Sequence, residues 1–184
     1  MNSFFKEALK SLKTSGTIKP SSKYLINNCL KDLPFDKAKT IIEFGAGDGC
    51  FTREISKRMR KDTMLYSFEI NKKFYEYSCS QFENQNNIKI LNNSALDFDE
   101  ILSEKTIYNA DIIISSLPLS LLNNIEVSRL LNKINKYLKS GGVFVQYQYS
   151  LGKFYQFKDV FYYVNMSLTL INIPPAFVFK CYKY

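Results

Sequence analysis

The sequence predicts an α/β domain built on a doubly wound parallel sheet, and two observations carry that prediction. Strands and helices alternate through five units between residues 40 and 149, which is the order of elements that produces such a sheet. The first strand contains Ile41, Ile42 and Phe44 and runs directly into three glycines at alternate positions. A glycine-dense turn that opens onto a helix is typical of a nucleotide-like ligand site at the carboxyl edge of an open sheet.

The spacing of apolar residues predicts the elements that follow the glycine turn. In chain order they are a helix over Phe51–Arg60, a strand over Met64–Glu69, a helix over Asn71–Phe82, strands over Ile88–Asn92 and Ala110–Ser115, a helix over Asn123–Leu138 and a strand over Val143–Tyr149. Ser140-Gly141-Gly142 is expected to terminate the last of these helices.

The two ends of the chain differ from this core. Residues 3–13 have the spacing of a short basic amphipathic helix, and Ser21 or Ser22 is expected to cap a helix that continues to Leu33 and ends at Pro34. Near the other end, Phe161–Leu170 and Ala176–Tyr182 predict an antiparallel hairpin. We therefore expect a single domain over residues 1–184, with a basic helical extension (1–39), a cofactor-binding core (40–149) and a C-terminal β-hairpin region (150–184).

Composition limits the possible locations and partners. The longest apolar runs are far shorter than a membrane span, and no apolar signal segment begins the chain, so a cytoplasmic location is expected. The four cysteines are widely spaced and suggest packed thiols, with neither a disulfide nor a metal site. The formal net charge of +8 is concentrated in residues 1–39, where eight lysines face three acidic residues.

The basic leading segment indicates a polyanionic partner, either nucleic acid or an anionic membrane surface. The helix over residues 3–13 could lie in a membrane interface, with Phe4 and Phe5 inserted and Lys6, Lys10 and Lys13 at the head groups. Packing on the core of the domain and ordinary solvation of a lysine-rich face are the alternatives.

The residues around the glycines point to one kind of cofactor. The pattern Glu43-x-Gly45-x-Gly47-x-Gly49 replaces the G-x-G-x-x-G of a pyrophosphate-binding turn. An acidic residue just ahead of the glycines would repel a phosphate but can take a charged amine, directly or through water. Glu69 follows at the end of the second strand, where a carboxylate accepts hydrogen bonds from a ribose.

This arrangement resembles motif I of the class I S-adenosylmethionine-dependent methyltransferases, over the core from Thr40 to Tyr149. The resemblance implies S-adenosyl-L-methionine as cofactor and no metal. It implies that Gly45 and Gly47 approach the methionyl part, that Glu43 lies beneath it and that Glu69 holds the ribose. Gly49 belongs to the same cofactor-binding set. The resemblance also implies that Ile70 covers one face of the adenine. Ser94-Ala95 occupies the place where the family usually has an acidic residue that contacts the adenine amine. Ser115 is the last residue of the implied cofactor-binding set.

The segment after the fourth strand is where these methyltransferases place the acceptor, so its residues indicate which kind of substrate is methylated. Enzymes that methylate adenine amino groups have an Asn or Asp, then Pro-Pro or Leu-Pro, then an aromatic residue here, because the ring stacks on the base. This chain has Ser115-Ser116-Leu117-Pro118-Leu119, without the amide and without the ring. RNA therefore becomes the less favoured substrate.

Three segments together resemble the bacterial phospholipid N-methyltransferases that convert phosphatidylethanolamine to phosphatidylcholine. They are the Leu117-Pro118-Leu119 turn, the preceding Gly16-Thr17-Ile18-Lys19-Pro20-Ser21-Ser22 and the later Asn172-Ile173-Pro174-Pro175-Ala176. The resemblance implies methyl transfer to a phospholipid amine, of phosphatidylethanolamine or of an amino-acid-derived lipid, by a cytoplasmic enzyme that attaches peripherally to the membrane through its basic N-terminal helix.

Aromatic residues near the acceptor turn are candidates for the substrate pocket. We expect Tyr24, Tyr147 and Tyr149 to surround the cationic head group by cation–π attraction, beside Leu117 and Pro118. The chain contains no histidine, so any protein base must be a carboxylate, a tyrosine or a lysine, or else water takes the proton. Ordinary packing is the alternative for each tyrosine.

Two other functions stay open. One is an rRNA adenine N6-methyltransferase-like enzyme, or another RNA or protein methyltransferase. In that case the basic N-terminal segment would bind nucleic acid. The other is a non-catalytic binding module that keeps the cofactor fold.

Overall fold

The strand that precedes the glycine turn is an interior strand of a seven-stranded sheet. The computed structural model describes residues 21–184, and the strand order is β3-β2-β1-β4-β5-β7-β6. The strands are β1 Thr40–Phe44, β2 Met64–Phe68, β3 Ile88–Leu91, β4 Ala110–Ser115, β5 Leu138–Gln148, β6 Tyr163–Thr169 and β7 Ala176–Tyr182. The helices are α1 Lys23–Leu30, α2 Cys50–Ser56, α3 Lys72–Phe82, α4 Phe98–Ser103, α5 Asn124–Tyr137 and α6 Phe154–Val160.

The first five strands are parallel and the last two form an antiparallel hairpin, as the sequence predicts. β1 pairs in parallel with β2 and β4, and β5 extends the parallel part beyond β4. β7 pairs antiparallel with β5 and with β6. The carboxyl ends of β1 to β5 therefore share one edge of the sheet, here called the carboxyl edge.

Helices cover both faces of the sheet. On one face Leu25, Phe51 and Phe82 anchor α1, α2 and α3 to a buried cluster that includes Ile41 and Val145. On the other face α4, α5 and α6 contribute to a second cluster through Phe98, Leu131 and Phe157. Because β1 is covered on both sides, its apolar residues Ile41, Ile42 and Phe44 are all fully buried.

Several element boundaries differ from the sequence prediction. Helix α1 ends at Leu30 instead of Leu33, because Lys31 is extended and Asp32 has a φ of 58°. Helix α2 ends at Ser56, four residues before the predicted end. Helices α4 and α6 were not predicted, since both are short and lie between stronger strand patterns.

The segment Ser140-Gly141-Gly142 does not terminate helix α5. That helix ends at Tyr137 because Leu138 is already extended, and β5 begins there. The pairing register with β4 jumps from Ala110↔Leu138 to Ile112↔Val143, so the two glycines lie in an irregularity of the strand. A φ of 74° at Gly141 suits such an irregularity.

The predicted helix over residues 3–13 and the turn before Ser21 lie outside the described residues. At the start of the described part, Ser22 caps α1 by accepting a hydrogen bond from the Leu25 N–H, as predicted. Among the helices of residues 21–184, none combines the length and apolar character needed to cross a membrane.

Candidate cofactor and acceptor site

The glycine turn adopts backbone conformations that favour glycine. Gly45, Gly47 and Gly49 have φ values of 87°, 56° and 78°, a region that side chains with a Cβ rarely occupy. The N–H groups of Gly45 and Ala46 both donate to the Phe68 carbonyl oxygen, at 2.8 and 3.0 Å. The turn is thereby tied to the end of β2 at the carboxyl edge.

Gly47 and Gly49 have different surroundings. A Cβ built on Gly47 would have no heavy atom within 4 Å, so the backbone there borders open space. A Cβ built on Gly49 would lie 3.1 Å from Phe82 Cε2. Gly47 therefore provides a surface that a ligand can approach closely, whereas Gly49 allows α3 to pack against the start of α2.

Glu69 joins the end of β2 to the glycine turn. Its side chain is buried, and Oε2 accepts a hydrogen bond of 2.8 Å from the Gly47 N–H. Its Oε1 accepts another of 2.8 Å from the N–H of Asn71, the residue that caps α3. The carboxylate is thus oriented beside Gly47, at the place where the sequence predicts the ribose.

Glu43 lies beneath the turn, where it is almost fully buried. Its Oε2 accepts hydrogen bonds from Thr52 Oγ1 at 2.6 Å and from Ser67 Oγ at 2.5 Å. Charge-assisted hydrogen bonds of this kind stabilise a buried carboxylate. Sequence reasoning did not identify Thr52 or Ser67, because neither belongs to the glycine motif.

The residues predicted around the adenine occupy the ends of β2 and β3. Ile70 is half-buried against the cluster that contains Phe98. Ser94 caps a single 3₁₀ turn over Ala95–Asp97, and its Oγ accepts from the Leu96 N–H at 3.2 Å. Asn92, which was not predicted, donates from Nδ2 to the Glu69 carbonyl oxygen at 2.9 Å and joins the two strand ends.

The acceptor turn after β4 is held against the glycine turn. The Ser116 N–H and hydroxyl both donate to the Phe44 carbonyl oxygen, at 3.0 and 3.1 Å. The same hydroxyl lies 3.0 Å from the Gly45 carbonyl oxygen. Ser115 is buried, and its Oγ accepts from the Leu117 N–H at 3.2 Å. The structure therefore brings the predicted acceptor turn and cofactor turn together.

Gln146 positions the acceptor turn from β5. Its side chain is fully buried, and Nε2 donates to the Leu117 carbonyl oxygen at 3.0 Å and to the Tyr147 carbonyl oxygen at 2.7 Å. Gln146 and Ser115 are paired across β5 and β4. The clue available in the sequence was a pair of polar residues, Gln146 and Gln148, in an otherwise apolar strand.

Two of the three predicted tyrosines contact each other at the end of β5. The Tyr147 ring is parallel to that of Phe51 at 5.9 Å, and the Tyr149 ring meets Tyr147 edge-on at 6.0 Å. The Tyr147 hydroxyl lies 3.2 Å from Ser21 Oγ, and burial raises the Tyr147 pKa well above its ordinary value. Tyr24 lies on the first turn of α1 and is 60% exposed.

No group of three or more histidine, cysteine, aspartate or glutamate side chains is arranged to hold a metal ion within residues 21–184. The groups at the carboxyl edge are instead backbone N–H groups, two buried carboxylates and aromatic rings. Such a set suits an organic ligand that carries hydroxyl and amine groups.

Comparisons with known proteins match this chain to methyltransferases. A family model described as ribosomal RNA adenine dimethylase matches residues 21–148. An ornithine lipid N-methyltransferase of Singulisphaera acidiphila is 25% identical over 166 residues, which are 90% of this chain and 86% of that protein. A ribosomal RNA small subunit methyltransferase A of Caldanaerobacter subterraneus subsp. tengcongensis is 32% identical over 80 residues, 42% of this chain and 29% of that protein.

Solved structures show the same fold at low sequence identity. The N-methyltransferase NodS of Bradyrhizobium japonicum WM9, in complex with S-adenosyl-L-homocysteine, has a TM-score of 0.66 and 12% identity. The match covers 98% of each chain. The five parallel strands and the C-terminal hairpin are therefore part of a fold that methyltransferases use.

Proposed function

We propose that this chain, which belongs to the ribosomal RNA adenine dimethylase family of S-adenosylmethionine-dependent N-methyltransferases, transfers methyl groups to the amine of a membrane-lipid head group. The methyltransferase activity and the cofactor follow from the family and the fold. The acceptor is our proposal, and it rests on how the site is built at the end of β4.

The observation that carries this proposal is the burial of the acceptor turn. Leu119 stands at the position where enzymes that methylate adenine amino groups carry a stacking ring, and its side chain is buried in the core. Leu117 is also buried in that cluster. Within this turn a flipped base would find neither a ring for stacking nor an amide for its edge, whereas a small aliphatic amine needs neither.

The described residues fit the cofactor that the family uses. Gly47 offers a backbone surface bordered by open space, and the Glu69 carboxylate beside it can accept hydrogen bonds from ribose hydroxyls. Ile70 and the Ser94-Ala95 turn would contact the adenine. Glu43 would act from beneath the turn, where its negative charge favours a cationic methionyl group. When bound, the cofactor supplies an electrophilic methyl group on a sulfonium.

The acceptor half of the site can orient an amine without a catalytic acid or base. The Leu117 carbonyl oxygen is held in place by Gln146 and can accept a hydrogen bond from an ammonium or amine. The rings of Tyr147 and Tyr149 meet at the end of β5, where they can attract a cationic head group, a contribution of about 1–2 kcal/mol when water is excluded. Alignment of the amine is the main contribution expected of such a site.

Removal of the amine proton is the remaining requirement. A lipid amine of this kind has a pKa of ~10, so most of it is protonated at neutral pH. The chain contains no histidine, and the raised pKa of Tyr147 makes its anion too scarce to serve as a base. We propose that the proton leaves to solvent, with burial of the acceptor turn favouring the uncharged amine once it is bound.

Two head groups fit this chemistry and are supported by different observations. The proline-containing segments that flank the core resemble enzymes that act on phosphatidylethanolamine, and the relative that aligns with most of this chain is named for ornithine lipid. Both head groups present a primary alkylamine at the surface of a bilayer. We favour the class, a lipid primary amine, with phosphatidylethanolamine as the first substrate to test.

The proposal is tested with methyl-labelled S-adenosylmethionine and vesicles of defined composition. We expect label in the lipid fraction when vesicles contain phosphatidylethanolamine or ornithine lipid, and none when phosphatidylglycerol is the sole lipid. The Gly47→Val variant serves as a control for cofactor-dependent transfer. Absence of label from both amine lipids, with normal cofactor binding, would refute the lipid proposal.

The second candidate is N-methylation of an adenine in RNA. The family match over residues 21–148 and the formal net charge of +8 favour it, because a basic chain attracts a polyanion. It requires salt-dependent RNA binding and label on adenine after nuclease digestion. Label confined to RNA would replace the lipid proposal with this one.

A further inference from the structure

The loop between β6 and β7 exposes three large aliphatic side chains within four positions. Leu170, Ile171 and Ile173 are 70%, 64% and 82% exposed, and we call these three residues the apolar hairpin tip. Single exposed aliphatic residues are common on protein surfaces, but a contiguous group at one loop marks an interaction surface. None of the three residues has a role in the site described above.

The apolar hairpin tip lies at the same edge of the sheet as the acceptor turn. β7 is antiparallel to β5, and Phe177 at its start pairs with Gln148 at the end of β5. The connecting loop must therefore extend from the carboxyl edge. A surface that contacts the tip therefore lies at the edge of the sheet that also carries Leu117 and Tyr147.

Hydrogen bonds hold the loop in this position. Asn172 lies between the tip residues but is itself buried. Its Nδ2 donates to the Pro174 carbonyl oxygen at 2.7 Å, and its Oδ1 accepts from the Ser22 N–H at 3.3 Å. The tip is thus anchored both within the loop and to the residue that caps α1, so its aliphatic side chains point outward from an ordered base.

The charge pattern around the tip identifies the kind of partner. Residues 160–179 contain no charged residue, so this part of the chain can enter an apolar phase without burying a charge. The chain that leads into Ser21 carries Lys6, Lys10, Lys13 and Lys19. Ser22 bonds the loop directly, and the exposed Lys23 follows it as the first residue of α1.

We propose that the apolar hairpin tip inserts into the interface of an anionic lipid bilayer and so turns the carboxyl edge of the sheet toward the membrane surface. Aliphatic side chains enter the boundary between head groups and acyl chains, while nearby lysines are attracted to anionic lipid. This inference rests on the proposed lipid substrate, because a bilayer is where that substrate's amine is found.

The direct test uses the absence of tryptophan from this chain. Ile171→Trp places a single fluorescent reporter in the tip, and Tyr108→Trp places one at another exposed position, just before β4 at the opposite edge of the sheet. Vesicles of phosphatidylcholine and phosphatidylglycerol contain no candidate substrate, so binding to them is independent of catalysis.

With these vesicles we expect the Ile171→Trp emission to shift to shorter wavelength and to be quenched by lipids with brominated acyl chains. The Tyr108→Trp emission should stay unchanged. Equal responses of the two reporters, or no response at Ile171→Trp, would overturn the proposal.

A second test separates the bilayer from the chemistry. The triple variant Leu170→Ser, Ile171→Ser, Ile173→Ser should lose at least about tenfold in methyl transfer to phosphatidylethanolamine in vesicles. It should retain transfer to a short-chain phosphatidylethanolamine that is monomeric in solution. The matched control is Tyr108→Ser, Tyr162→Ser, Tyr184→Ser, which removes three exposed side chains away from the tip.

The outcomes distinguish this inference from the proposed function. If the wild type methylates vesicle lipid and the tip variant does so equally well, the tip proposal fails and the lipid function stands. If neither form of the lipid is methylated but the Ile171→Trp reporter responds, the lipid function fails and the membrane surface stands. If the tip variant differs from the wild type only in its oligomeric state, the tip contacts a second copy of the chain, and the proposal is overturned.

Discussion

The carboxyl edge of the sheet consists of two halves that are built in different ways. Around the ends of β1 to β3, the cofactor half uses backbone N–H groups and the buried carboxylates of Glu43 and Glu69. Around the ends of β4 and β5, the acceptor half uses buried leucines and two tyrosine rings. One half presents hydrogen-bonding groups in fixed positions, and the other presents an apolar surface with few polar atoms.

This difference indicates that one half serves to bind the cofactor and the other to align the acceptor. We propose that the cofactor half binds S-adenosylmethionine by itself, because its hydrogen-bonding groups are already oriented. The acceptor half has little with which to bind a polar substrate tightly, so it depends on alignment and on bringing the enzyme to its substrate. Changes in the first half should alter cofactor affinity, and changes in the second should alter turnover.

The largest effect is expected from Gly47→Val. A β-branched residue at a φ of 56° is strained by roughly 1–2 kcal/mol, and its side chain would occupy the open space that the cofactor needs. We expect the affinity for S-adenosylmethionine, measured by calorimetry, to fall at least about 100-fold. Gly141→Val is the matched control, since Gly141 has a φ of 74° and also borders open space, but lies in the irregular part of β5.

The control should lose stability without losing cofactor affinity. Normal binding by Gly47→Val, or equal losses in the two variants, would contradict the placement of the cofactor at the glycine turn.

A smaller loss of cofactor affinity is expected from Glu69→Gln. Both carboxylate oxygens accept backbone N–H groups, so an amide must turn its NH₂ group toward one of these donors. Hydrogen bonds that involve a charged group are worth about 1.5–3 kcal/mol, which corresponds to a loss of roughly 10- to 100-fold in affinity. Glu76 is an exposed carboxylate on helix α3, and the control variant Glu76→Gln should bind the cofactor normally. An unchanged dissociation constant for Glu69→Gln would remove Glu69 from the cofactor site.

The pH dependence of turnover tests how the acceptor amine loses its proton. Without a histidine in the chain, and with burial raising the Tyr147 pKa, the rate at low lipid concentration should follow the uncharged fraction of the amine. That fraction grows about tenfold per pH unit below a pKa of ~10. Initial rates between pH 7 and pH 9 measure this slope, using cofactor at saturating concentration. A plateau beginning near neutral pH would instead indicate a protein base.

A modest effect on turnover is expected from Gln146→Met. The variant keeps the approximate length of the side chain but removes the donor to the Leu117 and Tyr147 carbonyl oxygens. Loss of these bonds loosens the acceptor turn, and we expect kcat to fall roughly tenfold, with the dissociation constant of S-adenosylmethionine unchanged. Gln148→Met, at a second buried glutamine of β5, is the matched control and should retain its kcat. A change in cofactor affinity in Gln146→Met would show that the two halves are not separable.

The difference between the two halves also explains which parts of the structure could be predicted from the sequence. The cofactor half depends on short-range patterns, since Glu43 and the three glycines lie within seven consecutive residues and Glu69 follows at the next strand end. These patterns predicted the parallel sheet and the glycine turn correctly, and the β-rich segments near the end of the chain predicted the C-terminal hairpin.

The acceptor half depends on contacts between distant parts of the chain. Gln146 reaches Leu117 across 29 positions, and Ser21 reaches Tyr147 across 126. Neither contact has a local pattern, and for this reason Gln146 was missed. The irregularity around Gly141 was missed for a different reason, because two glycines after a helix also suit a helix terminus. The roles assigned to Tyr24, Tyr147 and Tyr149 stay predictions.

The most direct measurement is a competition in one reaction between vesicles that contain phosphatidylethanolamine and ribosomal RNA, with methyl-labelled S-adenosylmethionine as the common donor. After separation of the lipid and RNA fractions, mass spectrometry locates each transferred methyl group. We expect label on the amine of the lipid head group and none on adenine. Label on adenine with unmodified lipid would contradict our assignment of the acceptor half.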